Sequence, residues 1–337
     1  MPRSSFLSRR RWLTGALCAA LPWAARPAHA APAADAWRFD AFNAAADTPV
    51  LRLGSRGAAV VRAQILLDRA WFSPGEIDGQ FGRNLQRVLR AWQGAQGLPA
   101  SGAVDAATWR ALRGADGGAY LTRYRVTEQD AAGPFERIPN DMAARAEMKG
   151  SPYESLQEAL AERFHLSPAL LRRLNPGMRL AAGAELVVPA VRDSSAPTRA
   201  SQRLLILKRE RVLFVLDAGG QPAAGFPISI GNERQDPLPL GEMAIKNAVE
   251  RPSYTYDPAL LKNAPQDAPR REISPGPNNP VGTVWLGLTK PHWGIHGTPH
   301  PARVGHGESN GCIHLTNWDA ERLARIVKVG ARVEVRA

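Results

Sequence analysis

Pro291, Gly294, Gly297 and Pro299 interrupt one short run of the chain. Proline removes a helix hydrogen bond and glycine carries the highest entropic cost of ordering, so a helix is disfavoured there. The run must be built from short extended pieces joined by turns. Into it are set His292, His296, His300, His306 and His314, five of the chain's seven histidines. Cys312, one of two cysteines, lies among them. This part of the chain is therefore strand and loop, and its loops carry one thiol surrounded by imidazoles.

A thiol is a weak nucleophile until it loses its proton, and an imidazole, whose pKa lies close to ambient pH, can take it. Trp293, Gly294, Ile295 and His296 read as a strand end closed by Gly297, Thr298 and Pro299, so His296 is the candidate base. Gly311 has no Cβ and lets backbone approach a reacting carbon. The N–H groups of Gly311 and Cys312 then form a candidate oxyanion site, and the reaction class is acyl transfer through a thioester. A second reading uses the same residues as zinc ligands. His292, His296 and His300 recur every four positions, Cys312 and His314 follow, and residues four apart share a face of an extended segment.

The stretch His296-Gly297-Thr298, a loop, then Ser309-Asn310-Gly311-Cys312-Ile313-His314 resembles the signature of the L,D-transpeptidase family of bacterial cell-wall enzymes. The run Gly276-Pro277-Asn278-Asn279-Pro280-Val281-Gly282, followed by Val284-Trp285-Leu286-Gly287-Leu288, is similar to the segment before that signature. The resemblance covers residues 203–337. It implies Cys312 as nucleophile, His296 as base, and Ser309, Asn310 and Gly311 as the shapers of the nucleophile loop. It also implies substrate contacts at His314, Gly297, Thr298, Asn279 and Tyr256, and no metal or organic cofactor. The family has His where Asn310 stands and Arg where His314 stands. Asn310 can hydrogen-bond but cannot titrate, and His314 can be neutral where arginine is always charged.

The N-terminus reads as a targeting segment over residues 1–30. Arg3, Arg9, Arg10 and Arg11 precede the apolar stretch from Trp12 to Leu21, and Ala28-His29-Ala30 is a cleavage pattern. Ser8-Arg9-Arg10-Arg11-Trp12-Leu13 resembles a twin-arginine export signal. The apolar stretch is too short to span a bilayer, so no membrane span is retained. Cleavage would remove Cys18 and leave Cys312 alone in an oxidising compartment, where cysteines usually pair. The formal charge of +12 falls to about +7 without the five arginines of that segment, a basic surface suited to a polyanionic envelope. No basic stripe interleaved with aromatics is present, which argues against nucleic acid.

Residues 31–49, rich in alanine, read as a flexible lead-in. Residues 50–115 carry helical periodicity through Val60, Val61, Ile65 and Leu66, then through Leu85, Val88, Leu89 and Trp92, and a third helix bears Trp109 and Leu112. Gly102-Ala103-Val104-Asp105 echoes Gly75-Glu76-Ile77-Asp78. This segment resembles the three-helix peptidoglycan-binding domain, with Trp92 and Trp109 at core spacing. Residues 120–190 resemble the lysin-motif module: an opening strand, a helix pair through Leu156 to Leu174, and a closing Leu186-Val187-Val188-Pro189. Its opening is stretched, so glycan binding and packing against the C-terminal part are both open. Residues 191–202 form a linker. From Arg203 onward, short strands at tight turns predict a sandwich-like sheet, and residues 250–280, rich in proline, read as an irregular lid. Thr316 to Asp319 cap a last helix.

The expected fold is thus multidomain α+β: a small all-α domain, a lysin-motif-like α/β segment and a mainly-β catalytic domain. The expected protein is a periplasmic or envelope enzyme acting on peptidoglycan stem peptides and glycan. It would form 3→3 crosslinks or attach other amines. The alternatives are a cysteine- or zinc-dependent wall hydrolase and a non-catalytic wall-binding protein.

Overall fold

The computed structural model describes residues 34–45, 49–115, 117–191, 196–197, 203–231, 238–260, 268–309 and 312–337. The expected targeting segment and most of the expected linker fall outside these residues. The lead-in does not stay loose. Residues Phe39–Ala44 form helix α1, whose Phe42 is wholly buried, and the Asn43 side chain bonds the backbone of Leu121 at both its N–H and its carbonyl. Trp37 and Phe39 also pack on the same core, so three aromatics dock this short segment.

Helices α2 (Ala58–Arg69), α3 (Arg83–Ala95) and α4 (Ala106–Ala115) follow. Their apolar stripes converge on a core holding Trp92 and Trp109, as the spacing predicts. Strand β1 (Leu121–Arg125) opens the next segment. Two short helices, α5 (Glu128–Ala132) and α6 (Met142–Ala146), occupy the stretched opening. Helices α7 (Leu156–Arg163) and α8 (Pro168–Leu174) come next. Ser155 and Ser167 cap them by accepting the N–H of Glu158 and Leu170, which satisfies donors that a helix start leaves open. Strand β2 (Glu185–Pro189) returns antiparallel to β1.

The C-terminal part contributes β3 (Arg203–Leu207), β4 (Val212–Leu216), β5 (Pro222–Pro227), β6 (Ile230–Gly231) and β7 (Gly241–Glu250). Then come β8 (Tyr254–Tyr256), β9 (Arg271–Ile273), β10 (Val284–Leu288) and β11 (Gly294–His296). Strands β12 (Glu308–Ser309) and β13 (Ile313–His314), helix α9 (Asn317–Ile326) and strand β14 (Arg332–Arg336) complete it. The sandwich-like expectation is met by one mixed eight-stranded sheet in the order β13-β11-β10-β7-β14-β3-β4-β5. Residues 250–280 are less irregular than expected, since β8 and β9 pair antiparallel within them.

Strand β4 explains how the segments join. All five of its residues are buried. Leu213 and Val215 face the core of the C-terminal part, whereas Val212, Phe214 and Leu216 belong to the helical core. A strand buried on both faces reads as continuous apolar sequence rather than alternation, which is what Val212 to Leu216 shows. The segment leaving α2 also pairs onto the open edge of β5: Ser73 N–H donates to Gly225 O and Gly225 N–H to Trp71 O. An unpaired sheet edge is a template for unwanted association, and here the chain covers its own. Residues Asp35–Ala337 accordingly form one compact unit.

Candidate active site

Sheet register assembles the site. Strand β11 pairs with β10 so that Trp285 lies opposite His296. It pairs in parallel with β13 so that His296 lies opposite His314. Side chains alternate across a sheet, so Trp285, His296 and His314 form a row on one face. Their neighbours Leu286, Ile295 and Ile313 point the other way into the buried core. The indole stacks on His296 at 5.3 Å between centroids, and the His314 ring follows at 4.4 Å. Gly294 makes the stack possible: a Cβ there would come within 2.6 Å of the Trp285 ring.

The His296 tautomer is set by its partner. Nδ1 lies 2.7 Å from the carbonyl oxygen of Gly297. A carbonyl only accepts, so Nδ1 carries the proton and Nε2 presents a lone pair. Burial pushes the imidazole down to about 4, although the Gly297 carbonyl opposes that shift. The ring is therefore neutral at physiological pH and able to receive a proton. His314 is held well below its ordinary range, first by burial and then by the charges of His296, His300 and Arg303.

Cys312 sits on the short connection between β12 and β13 and is partly exposed. Both flanks of that connection are tied down. Glu308 and Ser309 pair in parallel with Ile230 and Gly231. On the other flank, His314 exchanges backbone hydrogen bonds with Ser229, and Leu315 N–H donates to His296 O. The thiol makes a long contact of 3.6 Å to the carbonyl of His292.

The remaining candidates divide. Asn310 and Gly311 lie outside the described residues, and Ser309 is placed by its strand pairing alone. Thr298 is buried and its hydroxyl accepts the His300 N–H. Gly297 supplies the carbonyl that orients His296. Asn279 is not a substrate contact: it is wholly buried, and its side chain closes a turn by donating to Ile273 O and Ser274 O and accepting Val281 N–H. Tyr256 is nearly buried, whereas Tyr254, two residues earlier on the same face of β8, is less buried and near enough to Cys312 to feel its charge. Burial first, then the nearby charge of Cys312, push its phenol up, so it remains an O–H donor at neutral pH. Only the alternation of Tyr254 and Tyr256 hinted at it in the sequence. Among the described residues no three His, Cys, Asp or Glu side chains group as a metal-ligand set.

The sequence is similar to known proteins. The L,D-transpeptidase catalytic domain pattern (YkuD) matches residues 201–335, and a peptidoglycan binding domain pattern matches residues 56–112. The L,D-transpeptidase YkuD of Bacillus licheniformis is 29% identical over 187 residues, which are 55% of this chain and 94% of that protein. YkuD of Bacillus subtilis is 31% identical over 179 residues, or 52% of this chain and 91% of that protein. The crystal structure of the L,D-transpeptidase from Xylanimonas cellulosilytica covers 87% of this chain at 16% identity with a TM-score of 0.37, a superposition too loose to argue from. Because the Bacillus subtilis relative is spanned almost whole at that identity, the chain belongs to the L,D-transpeptidase family, with a peptidoglycan binding domain ahead of its catalytic domain.

Proposed function

We infer that the protein is an exported L,D-transpeptidase that works through a thioester on Cys312, with His296 as the proton carrier. The single observation that supports this most is the His296 Nδ1 contact to Gly297 O at 2.7 Å, because it leaves Nε2 as the basic nitrogen. The thiol proton passes to Nε2, and the sulfur attacks the carbonyl carbon before a terminal D-alanine of a stem peptide. The C–N bond breaks, and the leaving amine takes the proton from His296. An amine of a second stem then attacks the thioester, yields its proton to the imidazole, and sulfur departs to be reprotonated.

Gly311 N–H and Cys312 N–H hold the developing oxyanion, with Asn310 and Ser309 shaping their loop. His314 is neutral where the family carries arginine. Arg303, whose carbonyl accepts from the hydroxyl of Ser229, the residue paired with His314, supplies the positive charge for a substrate carboxylate. The product is a 3→3 crosslink. No described helix is long and apolar enough to cross a membrane, and residues 1–30 direct export to the envelope.

Intact mass after incubation with ertapenem tests the assignment. The wild-type chain gains one covalent adduct and Cys312→Ala gains none. A wild-type chain that stays unmodified, or an adduct on Cys312→Ala, refutes it. Muropeptide analysis with and without an acceptor amine then separates transfer from hydrolysis.

A further inference from the structure

Asn317 is the first residue of α9 and is buried, and every polar atom of its amide is engaged. Nδ2 donates to Glu162 Oε2 and to Pro277 O, each at 3.0 Å. Oδ1 accepts the Thr283 N–H at 3.3 Å. Only this orientation of the amide matches donors with acceptors. The same side chain lies hard against Gly297, where a Cβ would come within 2.2 Å of Asn317 Oδ1. Gly297 is the residue whose carbonyl receives the His296 Nδ1 proton. Contacts therefore run without a break from α7, outside the catalytic domain, to the imidazole.

Glu162 suits the far end of this chain of contacts. It is buried, and the Tyr153 hydroxyl also reaches its Oε2, at 3.4 Å. Burial pushes its carboxyl up to about 8, so near neutral pH it accepts from Asn317 without placing another charge in the interior. Asn278, on the loop next to Pro277, is tied to the same helix by donating to Glu158 Oε1, and to the segment ahead of that helix by donating to Pro152 O.

We propose that Asn317 and Glu162 are positioning residues for the catalytic base: the α7 carboxyl locks the Asn317 amide, and the amide pins the Gly297 peptide with its carbonyl facing His296 Nδ1. This rests on the reading of His296 as the base. Released from Asn317, the Gly297 peptide can rotate, and the imidazole can take the tautomer that presents N–H rather than a lone pair to the thiol. A wrong tautomer of this kind disables a base even when its ring stays in place. The segment containing α7 thereby acts on the chemistry of the catalytic domain.

The test follows the second-order rate of Cys312 acylation by ertapenem in the full-length chain, by intact mass, across the pH range, with thermal unfolding recorded for each variant. Glu162→Leu lowers the rate about tenfold or more and changes the shape of the pH profile. Glu162→Gln, which keeps the acceptor oxygen, restores the rate to within about threefold of wild type. A folded Glu162→Leu protein with the wild-type rate and profile overturns the proposal, as does a Glu162→Gln protein no better than Glu162→Leu. Should Glu162→Leu fail to fold, Asn317→Ser is read in the same way, and an unchanged profile in that folded variant overturns it. A wild-type chain that ertapenem does not acylate sinks the thioester assignment instead, so the two failures are distinct.

Discussion

Asp68 of α2 and Arg322 of α9 form a forked ion pair, at 2.9 and 3.0 Å, with both side chains almost completely buried. His165, between α7 and α8, donates to the same carboxylate at 3.1 Å and stacks on Trp318. Three stretches of sequence thus meet on one carboxylate. Asp68→Ala would strip the buried Arg322 charge of its forked carboxylate partner, and breaking a buried pair on one side costs about 3–5 kcal/mol. Urea unfolding should show that loss as one transition of the whole compact unit. Replacing the pair together, as Asp68→Leu with Arg322→Met, should recover much of it. Despite its burial, Arg322 and His165 hold the Asp68 carboxyl far below its usual range. The stabilisation is therefore complete above the unfolded value near 3.8 and disappears as pH falls below it.

The imidazole of His296 sets an acid limit on catalysis. Its folded value is about 4, and only the neutral ring can accept the thiol proton. Acylation by ertapenem should hold nearly level as pH falls to about 5, then drop about tenfold per unit below about 4. An acid limb centred near the ordinary histidine value of about 6.5 would show that the ring is not held as described. His296→Gln, which cannot titrate, should abolish the limb and most of the rate.

Glu162 gives a stability signature of the opposite sign. Its carboxyl is raised from 4.5 to about 8 by burial. Between those values the unfolded chain has released a proton that the folded chain keeps. Its contribution is therefore fully present below about 4.5 and is lost as pH rises through 8, at about 1.4 kcal/mol per unit. Glu162→Gln has no such proton. Its stability relative to wild type should rise steadily across that window in urea titrations and level off above it. Parallel curves for the two proteins would contradict the burial of this group.

Local chemistry was legible in the sequence where it is dictated by neighbours. The interrupted histidine run predicted short strands, Thr316 capped α9 as its spacing required, and the core positions of Trp92 and Trp109 followed from helical period. What the sequence could not show was partnership at a distance. Nothing near Asp68 names Arg322, 254 positions away. The resemblance of its run to the family segment before the signature points to Asn279 as a substrate contact, yet its amide is spent on turn carbonyls. Tyr254 escaped selection because strand alternation makes it equivalent to Tyr256 until the sheet is placed. The lead-in looked mobile by composition, yet in its described part Trp37, Phe39 and Phe42 pack on the helical core and Asn43 ties it to Leu121.

Gly294 provides a separation of packing from chemistry. A methyl group there would meet the Trp285 ring at 2.6 Å, closer than any real contact, so Gly294→Ala must push the indole off His296. Overpacking of this kind typically costs about 1–3 kcal/mol. Shortening the neighbour, as in Gly294→Ala with Trp285→Leu, relieves the collision and should return most of the stability. It does not rebuild the stack, because a leucine has no ring to lay on the imidazole at 5.3 Å. Urea unfolding and ertapenem acylation should therefore diverge in the double variant, with stability restored and rate still depressed. If both recover together, the indole serves only to fill space, and the row Trp285, His296 and His314 has no part in holding the base.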